Sequence, residues 1–260
     1  MPDEPLLEVR NLSKTYFRRR WLRAPLPATQ ALTGISFTLE PAFTLAIIGA
    51  SGSGKSTLAR CLTQFETPTS GEILFKGLPL SPYRRLGIQL IFQNPAASLN
   101  PRFTAAGIVE EPLVIQQSGT PAERRERAVA ALGLVGIPSS ALAKRAHQFS
   151  GGERQRLAIA RALVAEPSIL ILDESFNGLD PGLACQVADL LGELQSSLGI
   201  SYILISHDLT LVTGLSDDIA VMHNGAIVEF APTATLMRHP EHPQTRDLVA
   251  SAHILEGPAA

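Results

Sequence analysis

The chain has 260 residues, 22 of them Lys or Arg and 24 Asp or Glu, for a formal charge of −2. That balance excludes the basic surplus of a general nucleic-acid binder. At 45% hydrophobic and 18% charged residues, it has ample material for a core and lies far from the disordered class.

Residues 6–16 mix apolar and polar side chains and read as a strand entering a turn. Arg18, Arg19, Arg20 and Arg23 flank Trp21, and Pro25 and Pro27 follow, which reads as a basic loop, either solvated or a docking or lipid-facing one. Residues 31–39 read as a second strand. Residues 43–48 are a continuous apolar run, as in a strand buried on both faces. Residues 49–56 follow at once, and residues 57–62 open a helix. Residues 72–80 look like a hairpin and 87–92 like another strand. From 94 to 148 the character changes. Prolines at 95, 101, 112, 121 and 138, with helical patches such as 122–134, predict a helical insertion between core strands. Residues 151–165 form an amphipathic helix. Residues 169–172 and 202–205 read as buried strands with a helix over 182–198 between them. That is a βαβ unit and implies a parallel sheet. Residues 222–231 resemble two short strands around the turn Asn224-Gly225.

Cys61 and Cys185 make neither a metal pattern nor a disulfide framework, which fits a reducing compartment. The longest apolar runs fall well short of the ~20 residues of a spanning helix. The first residues are acidic and carry proline, unlike a secretory leader. A cytosolic protein is expected, or one attached to a membrane only through a partner.

Three segments carry chemistry. Gly49-Ala50-Ser51-Gly52-Ser53-Gly54-Lys55-Ser56, placed between a strand and a helix, matches the full P-loop pattern. Its glycines let successive backbone N–H groups curl around a phosphate, and the helix that follows adds its positive end. Lys55 is placed to neutralise the β- and γ-phosphates and Ser56 to put its hydroxyl on Mg²⁺. Next, Ile169-Leu170-Ile171-Leu172-Asp173-Glu174 is an apolar strand ending in two carboxylates. Asp173 can hold Mg²⁺ through water, and Glu174 can polarise the water that attacks the γ-phosphate. Finally, Phe149-Ser150-Gly151-Gly152-Glu153 opens a helix with a good N-cap and two glycines, a second anion site without a lysine of its own.

With these in order along one chain, the sequence resembles the ATP-binding subunit of an ATP-binding-cassette (ABC) transporter over nearly its whole length. The resemblance implies an α/β P-loop NTPase fold with a mainly parallel core sheet, an N-terminal antiparallel β-subdomain and a helical insertion. It implies a single cassette over 1–260. The nucleotide-binding core spans 1–93 and 165–230, the helical signature subdomain 94–164, and a short tail 231–260. Ser150, Gly151, Gly152 and Glu153 match the family signature. By the same resemblance Gln93 senses Mg²⁺ and water, and His207 contacts the γ-phosphate. Tyr16 stacks on adenine, and Asp180 lies on the D-loop in Asn177-Gly178-Leu179-Asp180. The phosphate-binding set is then Gly49, Ser51, Gly52, Gly54, Lys55, Ser56 and Thr57. The Mg²⁺ set is Ser56, Gln93 and Asp173. Glu174, His207 and Gln93 are the catalytic set, with ATP and Mg²⁺ as ligands. Two such domains pack head to tail in the family, so a second ABC ATPase subunit is implied. So are two transmembrane permeases, which bring the chain to the cytoplasmic face of the inner membrane, and indirectly an external solute-binding protein. No nucleic-acid partner is implied.

The run Asn94-Pro95-Ala96-Ala97-Ser98-Leu99-Asn100-Pro101-Arg102 is similar to importers of dipeptides, oligopeptides and nickel, as is His242-Pro243-Gln244-Thr245-Arg246 in the tail. The expected function is an ATPase that powers import of a peptide, nickel or a metal chelate. The alternatives are an exporter ATPase or a non-transport ABC ATPase. No cysteine follows Cys185, so no iron–sulfur cluster is expected. His147, His223, His239, His242 and His253 lack ligand-like spacing. Several positions depart from the family pattern: Phe149 and Glu153 in the signature, Asn177-Gly178 in the D-loop, and Pro41-Ala42-Phe43 before the P-loop strand. The Glu153 carboxylate is expected to approach the partner's ATP and to oppose dimerisation.

Overall fold

The computed structural model describes residues 4–20, 23–81, 87–93 and 98–256. The chain divides into two compact units, Met1–Arg85 with Ser201–Ala260, and Leu86–Ile200.

The first unit contains an antiparallel sheet of order β2-β1-β4-β5, built from β1 (Leu7–Arg20), β2 (Arg23–Leu39), β4 (Ser70–Phe75) and β5 (Leu78–Pro79). β1 and β2 pair from Leu7↔Leu39 out to Arg20↔Arg23. The basic stretch expected as a loop therefore continues the hairpin. β2 is the edge strand of this sheet, where Pro25 and Pro27 interrupt no further ladder. Leu7, Leu12, Leu32 and Ile35 form its buried face.

The same unit holds the parallel strands β3 (Thr44–Ile48), β8 (Ser201–Ser206) and β9 (Asp218–His223), with β10 (Ala226–Pro232) antiparallel to β9. Every residue of β3 and β8 is buried, as the continuous apolar runs predicted. Helix α1 (Lys55–Leu62) follows β3 and begins two residues earlier than the apolar pattern suggested. The β9–β10 turn has both central residues at positive φ, Asn224 at 47° and Gly225 at 81°, the tight hairpin geometry that favours Asn-Gly.

The described part of the tail beyond β10 holds two helices. α6 (Thr233–Arg238) is followed by α7 (Pro243–Glu256). Pro243 takes the first helical position, where its missing N–H costs nothing. The N–H groups of Glu241 and His242 donate to the Glu229 carboxylate at 3.0 and 2.9 Å. His242 Nδ1 accepts from the Gln244 N–H at 3.2 Å. The His-Pro-Gln-Thr-Arg motif is thus a helix start held by a carboxylate on β10.

In the second unit β6 (Ile88–Ile91) and β7 (Ile169–Asp173) pair in parallel. The helical insertion contains α2 (Ala105–Ile115) and α3 (Pro121–Leu134), which pack with each other and with α4 (Gly151–Leu163) around Ile108, Leu113, Leu132 and Leu157. Thr104 and Thr120 cap the two insertion helices, and Thr120 forms a reciprocal box with Glu123. Arginines tie the layer together. Arg161 meets Glu111 at 2.8 Å, and Arg127 donates to the Val164 carbonyl at 2.9 Å. α5 (Pro181–Leu198) completes this unit.

Candidate functional site

In the first unit, β3, paired on both sides, delivers Gly49 at its C-terminal end. A Cβ added there would lie 2.2 Å from the Met222 carbonyl oxygen, and one added at Gly54 would lie 2.5 Å from that of Ala31. Both ends of the P-loop are therefore pressed against neighbouring backbone at distances only glycine permits. Over Gly52 the space is open. The Gly225 turn holds the loop from outside: its N–H donates to Ser53 O at 3.0 Å, and its carbonyl accepts from Thr33 N at 2.8 Å. Lys55 is 4% exposed and donates from Nζ to the carbonyls of Gly49 and Ala50 at 2.7 and 3.0 Å. The cation thus lies beneath a loop of its own backbone, and Ser51 and Gly52 face solvent. Ser56 and Thr57 occupy the first turn of α1.

Tyr16, on β1, is half-buried beside this helix. Its hydroxyl is hydrogen-bonded to the Glu66 carboxylate and to the side chain of Thr57. Burial, then Glu66, push its phenol above the ordinary tyrosine value, so it stays neutral. His207 is exposed and directly follows β8. The parallel register sets Ser206 opposite Ile48, so His207 and Gly49 leave the sheet side by side. Ser206 Oγ accepts from the Asp208 N–H at 2.9 Å and shapes that exit.

In the second unit, β7 ends on Asp173, which is 7% exposed. Glu174 follows with φ of 49°. The register Ile91↔Leu172 brings Gln93 out beside it. Gln93 Nε2 donates to Glu174 Oε2 at 2.6 Å, and Asn177 Nδ2 donates to the same oxygen at 3.0 Å. Ser175 Oγ, bonded to the Ile91 carbonyl at 3.1 Å, fastens the two exits together. Two amides thus orient one carboxylate. Asn177 was noticed in the sequence only as a departure from the D-loop pattern, and nothing in the sequence tied it to Glu174. Residues 94–97, which carry the start of the Asn-Pro run, lie outside the described residues. Leu99 beyond them is buried.

Ser150 caps α4, and Glu153 closes the box. Ser150 Oγ accepts from Glu153 N at 3.3 Å, and Glu153 Oε2 accepts from Ser150 N at 2.7 Å. The Glu153 carboxylate is folded back on its own helix start. The bonds from Ser150 hold it below the usual carboxylate range. The two signature glycines differ. Gly151 is open, whereas a Cβ on Gly152 would lie 2.4 Å from Leu183 Cδ1. Gly152 is thus a close-packing residue against the start of α5. Asp180 caps that helix, its Oδ1 accepting from Leu183 N at 2.9 Å.

The glycine-lined loop with a buried lysine fits a polyphosphate. In the first unit Ser56 offers a hydroxyl oxygen, and in the second Gln93 and Asp173 offer amide and carboxylate oxygens, each a hard donor of the kind Mg²⁺ takes. No group of three or more His, Cys, Asp or Glu among the described residues could hold a metal by itself.

A family profile described as ABC transporter matches residues 32–177. The dipeptide transport ATP-binding protein DppF of Escherichia coli is 42% identical over 96% of this chain and 77% of its own length. A probable peptide ABC transporter ATP-binding protein of Sinorhizobium fredii is 39% identical over 97% of this chain and 74% of its own. Among solved structures, cbiO1 of Clostridium perfringens, part of the ABC transporter complex cbiONQ, superposes with a TM-score of 0.80. It is 30% identical and covers 97% of this chain and 99% of its own. The cassette MJ0796, dimeric and bound to ADP and phosphate, superposes at 0.72 with 26% identity, over 87% and 98% of the two chains. With the P-loop, the paired carboxylates and the signature helix all in place, and relatives matching nearly the full length, this chain belongs to the ATP-binding cassettes of the ABC transporter family.

Proposed function

We propose that this cassette hydrolyses ATP to drive import of peptides through membrane permeases. The observation that carries the hydrolytic role is Glu174, held at the end of β7 by the amides of Gln93 and Asn177. A carboxylate so oriented takes the proton of the attacking water as that water meets the γ-phosphate. Lys55, with the backbone of Gly49, Ser51, Gly52 and Gly54, holds the phosphates. Thr57 belongs to the same phosphate set, Ser56, Gln93 and Asp173 are assigned to Mg²⁺, and the ion, when bound, would offset charge on the β- and γ-oxygens. His207 contacts the γ-phosphate and Tyr16 stacks on the adenine.

The signature Ser150, Gly151, Gly152 and Glu153, with Asp180, completes the site of a second ATPase subunit. Two phosphate-binding helix starts in one chain support that head-to-tail arrangement. A peptide cargo is preferred over nickel or a metal chelate because the relatives similar over nearly the whole chain are named for peptides. No helix among the described residues is long and apolar enough to cross a membrane. In this reading the cassette sits on the cytoplasmic face through two permeases, which an external solute-binding protein supplies. The core over 1–93 and 165–230 binds nucleotide, and 94–164 carries the signature and meets a permease.

Glu174→Gln tests the assignment. ATP binding is retained, and single-turnover hydrolysis falls by roughly 10²–10⁴-fold, the worth of a general base. Hydrolysis at the parental rate would overturn it.

A further inference from the structure

We infer that Glu66 is a positioning residue for the nucleobase, acting through Tyr16 and Lys14. This rests on the reading of Tyr16 as the adenine-stacking residue. Glu66 lies in the loop after α1, 50 positions from Tyr16 in sequence, yet its carboxylate gathers three side chains around the ring. The Tyr16 hydroxyl donates to it. Lys14 Nζ stands 3.5 Å from it on one side, and Arg60 on α1 stands 3.5 Å from it on another.

The loop itself is fixed from both ends. Glu66 N donates to the Arg60 carbonyl at 3.1 Å, and Thr69 N donates to the Ser13 carbonyl at 2.8 Å. Thr15 N donates to Thr69 Oγ1 at 2.9 Å, and Lys14 Nζ to the Thr67 carbonyl at 2.7 Å. β1 and the end of the P-loop helix are thereby stitched together at the aromatic ring.

Two physical consequences follow. A tyrosine on a strand keeps rotational freedom about χ1 and χ2 unless its hydroxyl is held. Here a carboxylate holds it, with a charge-assisted bond of the stronger kind. Lys14 also covers one face of the ring, its ammonium 5.1 Å from the centroid. A planar base can then stack only on the opposite face. Glu66 thus fixes the ring, and Lys14 selects the face, before any nucleotide arrives. Ordering the ring in advance removes that cost from binding.

The test compares a ligand with a base and one without. Titration calorimetry is run with ATP and with inorganic tripolyphosphate on the parent, Tyr16→Ala, Tyr16→Phe, Glu66→Ala, Glu66→Gln and the Tyr16→Phe/Glu66→Ala double variant. Tyr16→Ala weakens ATP binding about tenfold or more, as loss of one base stack does. Tyr16→Phe and Glu66→Ala each weaken it about threefold to fivefold, and the double variant no further than Tyr16→Phe alone, because the hydroxyl that Glu66 holds is then already gone. Glu66→Gln, whose amide oxygen still accepts from the phenol, recovers part of the loss. Tripolyphosphate binds all six proteins alike. If Glu66→Ala weakens both ligands equally, Glu66 supports the P-loop helix in general and the proposal falls. It falls too if Glu66→Ala leaves ATP affinity unchanged while Tyr16→Ala lowers it. If Tyr16→Ala itself binds ATP like the parent, the stacking assignment fails, and the proposal with it.

Discussion

At the scale of single residues, a side chain's neighbours decide its work more than its type does. Glu174 and Glu153 are both glutamates next to glycine-rich or apolar motifs, but one receives two amide N–H groups from remote segments and the other returns to its own helix start. Asn177 illustrates the point most sharply. A small residue is common at its place in the family pattern, yet here its amide shares Glu174 Oε2 with Gln93. Removing it takes away one of the two amide bonds that orient the carboxylate. Asn177→Ala should therefore lower the rate of ATP hydrolysis about tenfold. That corresponds to about 1.5 kcal/mol, the low end for a hydrogen bond to a charged group. ATP affinity should stay within about twofold of the parent, because Asn177 is assigned no contact with the phosphates. Steady-state kinetics with a separate binding titration checks both halves, and a loss confined to affinity would contradict the geometry.

At the scale of elements, the signature helix carries its own start signal. Ser150 and Glu153 satisfy each other's backbone N–H groups, so the first turn of α4 is capped without help from any other segment. Ser150→Ala should cost about 0.5–2 kcal/mol of stability by thermal or chemical unfolding. Glu153→Gln should cost less, because glutamine also serves in the box. The two variants separate by pH. The Glu153 carboxyl titrates below its ordinary value of 4.5 in the folded chain, through its bonds to Ser150. On acidification the unfolded chain takes up this proton first. The contribution of the box is therefore complete above the ordinary carboxylate value and is lost as pH falls through the lowered one. Glu153→Gln should remove that part of the acid sensitivity, so its cost shows at pH 7 and fades as pH falls through the lowered carboxylate value. Unfolding midpoints compared at pH 7 and pH 3.5 decide it. An equal acid loss in parent and variant would mean that the carboxylate does not contribute.

At the scale of the whole molecule, one chain bears a P-loop and a signature, and the proposed head-to-tail pairing gives each its counterpart. Glu174→Gln with ATP and Mg²⁺ should sediment as a dimer at micromolar protein and return to monomer when ADP replaces ATP. A monomer under both conditions would remove the pairing from the proposal, unless a different ATPase chain added to the mixture restores it.

How much of this was legible beforehand depends on sequence distance. The P-loop, the carboxylate-ended strand and the signature are contiguous. Their chemistry needs residues a few positions apart on one turn or one strand end, so the amino-acid order alone determined them. The buried strands and the Asn224-Gly225 hairpin were legible for the same reason, as local periodicity and local φ preference. Charge and proline content misled at residues 18–20 and 23–27, because pairing on an edge strand depends on backbone partners that composition does not reveal. The rest was decided by tertiary structure. Gln93 lies 81 residues from Glu174. Leu183 packs on Gly152, and the Gly225 turn braces the P-loop at Ser53. Such contacts join groups whose sequence separation carries no signal, and only the folded backbone brings their hydrogen-bonding atoms within reach.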